Sequence, residues 1–401
     1  MKILHLATSA GGGAGIAATR LHEAMLIYGL DSTLTTLSEK QKGYLVESTK
    51  NILTRKMFTL VNHLNTRQAF ISTSTFSQNS ISLKEIRKYS ADLIHIHNWY
   101  NLLSIDSIIQ IARNFPTVVT MHDERFFTGA CHYSLNCNGF KSSCLTCPAV
   151  YLFKKQVSQS RIRLEKSLNG EEFLGIIAPS NWILQRFHET QIRKKLTYAT
   201  KIPNIIPFSI QDGDIEQRQR LSTDWNFLFA AVNPEAPTKG FDLLRDALRE
   251  LARDNPSQKF TLHVAGKKIK TGDIPGNLEV ISHGYLSHSS LCLLFEKVDI
   301  VIVPSRIDNL PSIISEAQLN GVLVVATNVG GIPELVENEI TGLLSEPNVL
   351  SLRNTLVNAM GRTNQSEIIA AARSAAQQRH ASKKIVQDHL NFYKKVIDLK
   401  N

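Results

Sequence analysis

The stretch DNLPSIISE combines residue types that suit the binding of an anion. Pro311 fits the first turn of a helix, where a missing amide hydrogen costs nothing, and Asn309 is the expected N-cap. Backbone amides at such a helix start, together with the helix dipole, bind phosphate groups. The amides that would point out of this helix belong to Leu310, Ser312 and Ile313. The stretch therefore predicts an anion-binding helix start.

Two carboxylates and one lysine extend this site. Glu316 would lie about one and a half turns inside the helix, where a carboxylate accepts hydrogen bonds from vicinal hydroxyls such as those of ribose. Asp308 would accept from the hydroxyls of a second sugar, and Lys239 would add a positive charge beside the anion. Gly240 would let the backbone approach closely. The set fits a sugar attached to a nucleoside diphosphate. The open alternative is an exposed aspartate and a salt-bridged glutamate in an ordinary helix.

A glycine turn and a histidine are the candidates in the first half of the chain. The run GAGIAA, with Gly13 and Gly15, satisfies a dinucleotide fingerprint after a predicted strand. Such a site needs an acidic residue at the end of the second strand, and the nearest one, Glu39, lies too far along the chain. We therefore expect a tight turn whose amides approach phosphates or an acceptor. His122 ends an apolar strand and is a candidate for handling an acceptor proton; the alternative is a packed histidine. His95 and His97 alternate with isoleucines and are expected to be structural.

Four of the five cysteines lie in one short segment, with the spacing C-x5-C-x6-C-x2-C. They are Cys131, Cys137, Cys144 and Cys147. Four thiolates in one loop would close a tetrahedral zinc site, so we predict a structural zinc; buried thiols or a redox-labile pair are the alternatives. Cys292, inside SSLCLLFEKV, is expected to be a helix core residue.

Composition limits the class of protein and its partners. The 401 residues are 43% hydrophobic and 20% charged, which is typical of globular proteins and long enough for two domains. The formal net charge of +10 favours anionic partners, among which we expect nucleotides and acidic lipid but no nucleic acid. No run reaches about 18 uninterrupted apolar residues, and we expect no secretory signal before the fold. We expect a cytoplasmic chain, at most peripheral at the inner face of the plasma membrane.

Basic residues interleaved with apolar ones could rest on anionic lipid. The basic residues in question are Lys154, Lys155, Arg161, Arg163, Lys166, Arg186, Arg193, Lys194 and Lys195. Solvated helix faces are the alternative explanation. Asp212 and Asp214 imitate a metal-binding Asp-x-Asp, but they lie in a polar segment and we expect a turn there.

Short apolar runs alternate with helical patterns along the whole chain, which predicts an α/β protein with doubly wound parallel sheets. Strands are predicted at residues 2–8, 31–37, 92–98, 117–123, 174–180, 225–232, 259–266, 278–284, 299–305 and 322–327. Helices are predicted at 241–254, 312–320, 349–360 and 366–399, among others. The proline-marked segment 206–224 reads as a linker between Rossmann-like domains at 1–205 and 225–380. The last segment, 381–401, is a helix that could cross back to the first domain.

The site residues lie within segments that resemble retaining glycosyltransferase family 4. The matching segments are PSRIDNLPSIISEAQLNGVLVVATNVGGIPELVENEITGLL and TKGFDLL, and GGGAGIAATRLHEAM with DLIHIHN fits the acceptor-side domain. The family pattern has two glutamates seven residues apart; here Asp308 takes the first place and Glu316 the second. The DNLP form resembles bacterial exopolysaccharide enzymes of the colanic-acid type.

The resemblance implies a GT-B fold, with two Rossmann-like domains facing across a cleft, and a retaining transfer without a catalytic metal. Lys239 would stabilise the leaving diphosphate, Glu316 would hold the ribose, Asp308 the donor sugar, and His122 the sugar or the acceptor. Pro234 stands where the family often has a basic residue, so Arg306 is a further phosphate candidate. The expected donor-binding set is Gly13, Gly15, Lys239, Gly240, Arg306, Asn309, Leu310, Pro311, Ser312 and Glu316.

We therefore expect a hexosyltransferase that uses a nucleoside-diphosphate sugar. Its acceptor would be a glycan, carried on polyprenyl diphosphate, in exopolysaccharide or lipopolysaccharide synthesis. An NAD-dependent sugar-modifying oxidoreductase is one alternative, because of the glycine fingerprint. A non-catalytic glycan-binding protein with the same fold is the other.

Overall fold

The computed structural model describes residues 1–37, 49–67, 73–77, 79–168, 172–192, 198–207, 224–270 and 275–399, without the side chains of 49–52. The chain divides into two units. Unit 1 joins Met1–Ile205 to Ala381–Asn401, and unit 2 is Ile206–His380. Some residues named above lie outside the described ranges. They are Glu39, Arg193, Lys194, Lys195, Asp212 and Asp214.

Unit 1 is built on a parallel sheet of six strands in the order β2-β1-β3-β4-β5-β6. The strands are β1 (Lys2–Ala7), β2 (Asp31–Thr36), β3 (Leu93–Ile96), β4 (Thr117–Thr120), β5 (Leu174–Ala178) and β6 (Tyr198–Lys201). The described helices are α1 (Gly12–Ile27), α2 (Thr49–Asn65), α3 (Leu83–Arg87), α4 (Ile105–Asn114), α5 (Lys154–Ser167), α6 (Asn181–His188) and the last helix of the chain, α12 (Ser382–Asp398). Strands β3, β4 and β5 are buried along their whole length, as a parallel sheet covered on both faces requires.

Unit 2 repeats the arrangement with the strand order β12-β11-β10-β7-β8-β9. Its strands are β7 (Trp225–Ala230), β8 (Phe260–Ala265), β9 (Leu278–Gly284), β10 (Ile300–Val303), β11 (Leu323–Thr327) and β12 (Leu343–Ser345). Its helices are α7 (Phe241–Asp254), α8 (His288–Phe295), α9 (Ser312–Leu319), α10 (Val349–Gly361) and α11 (Gln365–Arg379). In the described part of the chain, no helix has both the length and the apolar character needed to cross a membrane.

The predicted fold class is confirmed, and every predicted strand is present, most of them a residue or more shorter than predicted. Two strands were missed. β6 is a half-exposed strand at the edge of its sheet, and β12 has three residues, so neither carries a strong apolar pattern. Cys292 lies on a helix, α8, as predicted, but the prediction that it is a core residue is wrong. It is half-buried, and Leu294 and Phe295 are the core positions of α8.

The helical pattern predicted at 366–399 forms two helices, with a break at residues 380 and 381. Ala381 adopts a non-helical conformation with ψ 100°, and the side chain of His380 lies 2.8 Å from the hydroxyl of Ser315. The two helices bury their apolar faces in different units: α11 packs within unit 2 and α12 within unit 1. The break follows from this change of partner, since the segment contains neither glycine nor proline.

Helix α12 completes the core of unit 1. Its buried residues, among them Tyr393 and Val396, pack against strand residues such as Ile3 and Val118. A side chain on Gly175 would leave no room for this helix, because a Cβ there would stand 2.5 Å from Val396 Cγ2. The helix is therefore as much a part of this core as the strands.

A buried layer of histidines lies between the sheet and this helix. His5 pairs with His95 in the register of β1 and β3, and the Nδ1 atom of His95 is 2.6 Å from the hydroxyl of Tyr393. Because charged imidazoles are poorly solvated here, burial lowers the pKa of His5 to about 3 and that of His389 to about 4. The pKa values of His95 and His97 also lie well below the usual value, for the same reason.

These shifts predict that acid destabilises the protein. A histidine with a lowered pKa in the folded state takes up its proton first in the unfolded chain, so stability is fully present above about pH 6.5 and is lost towards pH 4. The expected loss is up to about 1.4 kcal/mol per pH unit for each such histidine. His389→Leu should reduce the slope of unfolding free energy against pH in urea titrations. An unchanged slope would contradict the assignment, and His288→Leu, at an exposed position, is the control.

Candidate active site

Three loops meet at the carboxyl edge of the second sheet. They follow β7, β10 and β11, and β10 lies between the other two strands. The amide of Arg306 donates to the carbonyl of Thr238 at 2.7 Å, and the amide of Gly331 donates to the carbonyl of Asp308 at 3.0 Å. The backbone itself thus holds these loops together, at the sheet edge where ligands of open α/β folds bind.

Two glycines make this close approach sterically feasible. Gly240 has φ +66°, and a Cβ there would stand 1.9 Å from the carbonyl oxygen of Pro304. Gly330 has φ +61°, and its Cβ would stand 1.9 Å from the carbonyl oxygen of Asp308. Both the left-handed backbone and the lack of space exclude any side chain. The glycine expected in TKGF is therefore structurally required, although for packing against β10 rather than against a ligand.

Lys239 and Asp308 form an ion pair at the centre of the site. The lysine Nζ lies 2.6 Å from Oδ2 of the aspartate, which is 10% exposed, while the lysine side chain is 35% exposed. The hydroxyl of Ser305 lies 3.5 Å from the same oxygen. From the sequence, these two groups were expected to bind different ligands, but in this structure each neutralises the other. An incoming anion would have to compete with Asp308 for the ammonium group.

Helix α9 begins at Ser312, as the predicted range 312–320 has it, but its cap differs from the prediction. Its N-cap is Pro311, with ψ 113° and no side-chain cap, so the prediction of Asn309 as the cap and Pro311 in the first turn is wrong. The extended conformation of Pro311 starts the helix at Ser312, which places Asn309 too far back to cap it. The first amides of the helix lack intrahelical acceptors, as at any helix start. Glu316 is 6% exposed on the inner side of this helix.

Arg306 supports the loop that carries Lys239. Its guanidinium contacts the carboxylate of Asp242 at 2.7 and 2.6 Å and the carbonyl of Pro237 at 3.0 Å. The guanidinium hydrogen bonds lower the pKa of the Asp242 carboxyl below its usual value. The sequence predicted Arg306 as a phosphate ligand; in this structure its contacts position the turn at Lys239. Asp242 is a residue that sequence reasoning missed.

The glycine turn and His122 lie together in unit 1. Gly15 is in the first turn of α1, and a Cβ there would stand 2.2 Å from the carbonyl oxygen of Ser9, whereas Gly13 has open space around it. Ala14, in the same turn, lines one small pocket together with His122. Gly15 is thus required for a close turn, while nothing in the packing requires Gly13 to be a glycine.

His122 is joined to the buried histidine layer. Its Nε2 atom lies 3.3 Å from Nδ1 of His97, and Nε2 of His97 lies 3.1 Å from Nδ1 of His5. Burial lowers the pKa of His122 to about 4, against the opposing effect of Asp123, so the imidazole is neutral at pH 7. Sequence reasoning missed this chain because it considered the histidines one strand at a time.

Charged residues after His122 form a second network that sequence reasoning missed. Asp123 accepts a hydrogen bond from Arg125 at 2.9 Å, and Nε2 of His132 lies 3.3 Å from the same carboxylate. The guanidinium of Arg125 lies over the ring of Tyr100 at 5.0 Å. The signal available in the sequence was the run of three charged residues, Asp123 to Arg125, directly after His122.

One group of potential metal ligands is close-set in the described part of the chain: the ligand atoms of His5, His95 and His97 lie within 4.8 Å of one another. The two ring nitrogens of His95 contact Tyr393 and Thr120. Those of His97 contact two other histidines, while Nε2 of His5 has no hydrogen-bond partner. We therefore interpret the group as a hydrogen-bonded layer rather than a metal centre.

Comparison with known proteins identifies the class of enzyme. Residues 226–362 match the family model described as glycosyl transferases group 1. A putative colanic acid biosynthesis glycosyl transferase, WcaC of Escherichia coli K12, is 24% identical over 332 residues, which cover 75% of this chain and 76% of that protein. The chain is a glycosyltransferase, and the part of it that resembles the group 1 model lies within unit 2. An uncharacterized glycosyltransferase of Methanocaldococcus jannaschii is 32% identical to the transferase over 132 residues, 31% of this chain and 35% of that protein.

Solved structures confirm the GT-B fold. Sucrose-phosphate synthase of Thermosynechococcus elongatus aligns over 99% of this chain and 100% of its own, with a TM-score of 0.67 and 15% identity. Anabaena HepE in complex with UDP-glucose aligns over 98% and 100%, with a TM-score of 0.60 and 18% identity. The expectation of a transferase is confirmed, and the oxidoreductase and non-catalytic alternatives lose their support.

The close approach of Gly330 to the Asp308 loop predicts that even a small side chain at this position lowers the stability of the protein. Gly330→Ala places a methyl group against the carbonyl of Asp308 in a left-handed backbone, so we expect a loss of at least about 2 kcal/mol of stability. Thermal unfolding of the full chain measures it. Gly361→Ala is the matched control, because nothing lies within 4 Å of its Cβ position. Equal melting temperatures for the two variants would show that the loops do not depend on this close approach.

Proposed function

We propose that the transferase moves a sugar from a nucleoside-diphosphate donor to a hydroxyl of a glycan acceptor, with retention of anomeric configuration, in the synthesis of a bacterial surface polysaccharide. The relative from Escherichia coli is named for colanic acid biosynthesis. Structures of Anabaena HepE contain UDP, UDP with glucose, and UDP-glucose. These relatives support a nucleotide-sugar donor and a polysaccharide product.

The observation that carries the proposal is the position of Lys239 beside the Asp308 loop that leads into α9. In the reaction, negative charge develops on the leaving diphosphate, and groups held in place before the reaction stabilise it at little cost. We assign this role to the ammonium group of Lys239 and the first amides of α9. When the diphosphate replaces Asp308 as the partner of Lys239, the carboxylate is released to accept hydrogen bonds from sugar hydroxyls.

The remaining roles follow from burial and charge. Glu316 is buried on the inner side of α9, and its carboxylate suits two neighbouring ribose hydroxyls. His122 is neutral at pH 7 because its pKa is near 4, so it would contact the donor sugar or the acceptor hydroxyl as a hydrogen-bond partner and not as a cation. No step of this reaction needs a catalytic metal, since the lysine and the helix start neutralise the diphosphate.

A surface of unit 1 supports a lipid-linked acceptor. Helix α2 exposes four apolar side chains at helical spacing: Leu53, Met57, Leu60 and Leu64. The exposed run Tyr151, Leu152 and Phe153 adjoins its end, because the amides of Tyr151 and Leu152 donate to Asn65 at 2.9 and 2.7 Å. We call these seven residues the apolar face. Soluble proteins seldom expose so many large apolar side chains together.

Exposed basic residues surround the apolar face. They are Lys56, Arg67, Lys154 and Lys155. An apolar surface with a basic rim matches the interface of an anionic membrane. Among the predicted basic residues further along the chain, Arg161 is buried and paired with Glu165, and Arg186 contacts the buried Glu124. Arg163 and Lys166 are exposed on α5. Lys154 and Lys155 are the members of the predicted set that directly follow the apolar face in sequence.

Contacts within unit 1 connect the apolar face to His122. The side chain of Asn62, on α2, donates to the hydroxyl of Tyr100 at 3.1 Å. The ring of Tyr100 lies under Arg125, which binds Asp123, the neighbour of His122. An acceptor on polyprenyl diphosphate would therefore reach this histidine from a membrane bound at the apolar face.

Replacement of Lys239 tests the donor site. A thermal-shift screen of nucleotide sugars first identifies the donor, since a ligand of the native state raises the melting temperature. Lys239→Met should then lower kcat/KM for transfer by about 100-fold or more, and Glu316→Gln should weaken donor binding. Lys297→Met, at an exposed position in the same unit, is the control. Full activity of folded Lys239→Met protein would refute the assignment.

The introduction of negative charge on the apolar face tests the membrane contact. We expect the full chain to co-sediment with vesicles that contain anionic phospholipid. The double variant Leu60→Glu, Leu64→Glu should reduce the bound fraction at least tenfold, since each buried leucine contributes about 1.5–3 kcal/mol. Leu293→Glu, an exposed leucine of α8, is the matched control. No binding by the wild-type chain, or equal binding by all three proteins, would exclude this surface.

A further inference from the structure

The cysteine loop of unit 1 has no role in the proposed transfer, yet its structure is unusual. Residues 127–153 contain a single 3-10 turn, Gly139–Lys141, and neither an α-helix nor a named strand. Loops of this length inside a domain are uncommon unless something else orders them. Cys131, Cys144 and Cys147 are buried in this loop, Cys137 is half-buried, and all four are free thiols. They line one pocket of about 550 Å³.

The buried thiols share one small core with the residues that follow them. Cys131, Cys144 and Cys147 pack in a buried cluster with Ala149 and Val150. The amide of Gly139 donates to Sγ of Cys137, two residues earlier, at 3.3 Å. Amide hydrogen bonds of this kind stabilise negative charge on sulfur, as the outer shell of a metal–thiolate site does.

The four thiols approach one another as two pairs. The Cys131 thiol donates a hydrogen bond to Cys147. Cys137 and Cys144 face each other across Gly139: a Cβ on that glycine would stand 3.3 Å from one sulfur and 3.9 Å from the other. Cys144 has φ +55°, a conformation that costs a non-glycine residue free energy and persists only where its surroundings hold it.

We propose that Cys131, Cys137, Cys144 and Cys147 bind one Zn²⁺ ion as a closed tetrahedral site. Four thiolates satisfy the preferred coordination of zinc, with Zn–S distances of about 2.3 Å, and leave no position for substrate. The ion would therefore be structural. Binding forms four Zn–S bonds and releases the four thiol protons to solvent. It also draws the two pairs of sulfur atoms together and replaces the hydrogen bond between Cys131 and Cys147.

Hydrogen bonds connect the cysteine loop to the segment that follows His122. Cys131 precedes His132, whose imidazole contacts the carboxylate of Asp123 and whose carbonyl accepts from the amide of Glu124 at 3.0 Å. The buried carboxylate of Glu124 in turn accepts from the amide of Ser134. A zinc ion that holds Cys131 would thus fix the segment that follows His122.

Metal content of the full chain tests the proposal. Protein produced in zinc-supplemented medium and purified under reducing conditions without chelator should contain about one zinc per chain by mass spectrometry. The double variant Cys144→Ser, Cys147→Ser should lose it. Cys292→Ser is the matched control, because this cysteine lies on α8 in unit 2, and it should keep the full complement.

A second measurement does not depend on the folding of a variant. Titration of the wild-type chain with a mercurial thiol reagent should release one zinc as about four thiols react, and the melting temperature should fall when the metal is removed. Wild-type protein with well below one zinc after incubation with the metal would overturn the proposal. A non-reducing thiol count of one would also overturn it, since it would show that the four cysteines form two disulfides.

Discussion

An ammonium group and a carboxylate meet at 2.6 Å where Lys239 faces Asp308, and much of unit 2 is arranged to bring them there. The lysine follows β7 and the aspartate follows β10, so the contact requires the loops after these strands to come together at the edge of the sheet. This close approach in turn requires Gly240 and Gly330, which have neither space nor backbone geometry for a side chain. The binding chemistry assigned to this site thus depends on a backbone constraint that no charged residue supplies.

In unit 1, a layer of buried histidines carries no charge at pH 7. Desolvation keeps the imidazoles neutral, and because a neutral imidazole both donates and accepts, hydrogen bonds link the layer from His5 through His97 to His122. The same burial that stabilises the sheet therefore determines the protonation state of His122. Packing and chemistry cannot be separated at this position.

The sequence was sufficient wherever a local pattern determines the structure. Apolar runs located the central strands, and the residue types of DNLPSIISE predicted the helix that carries Glu316. The N-cap of α9 was mispredicted because it depends on one backbone angle at Pro311, which the residue type of Asn309 does not determine. The pairing of Arg306 with Asp242 joins residues 64 positions apart, and only the folded sheet brings them together. Likewise, the break before α12 arises because α11 packs within unit 2 and α12 packs within unit 1.

Helix α12 has a consequence for the order of folding. Every residue of unit 2 is synthesised before this helix, yet the helix supplies Tyr393 and Val396 to the core of unit 1. On the ribosome, this face of the first sheet therefore keeps only part of its cover, which includes α1, while the second unit emerges. The core of unit 1 can close only after α12 has left the exit tunnel, so the first unit to be started is the later one to be completed.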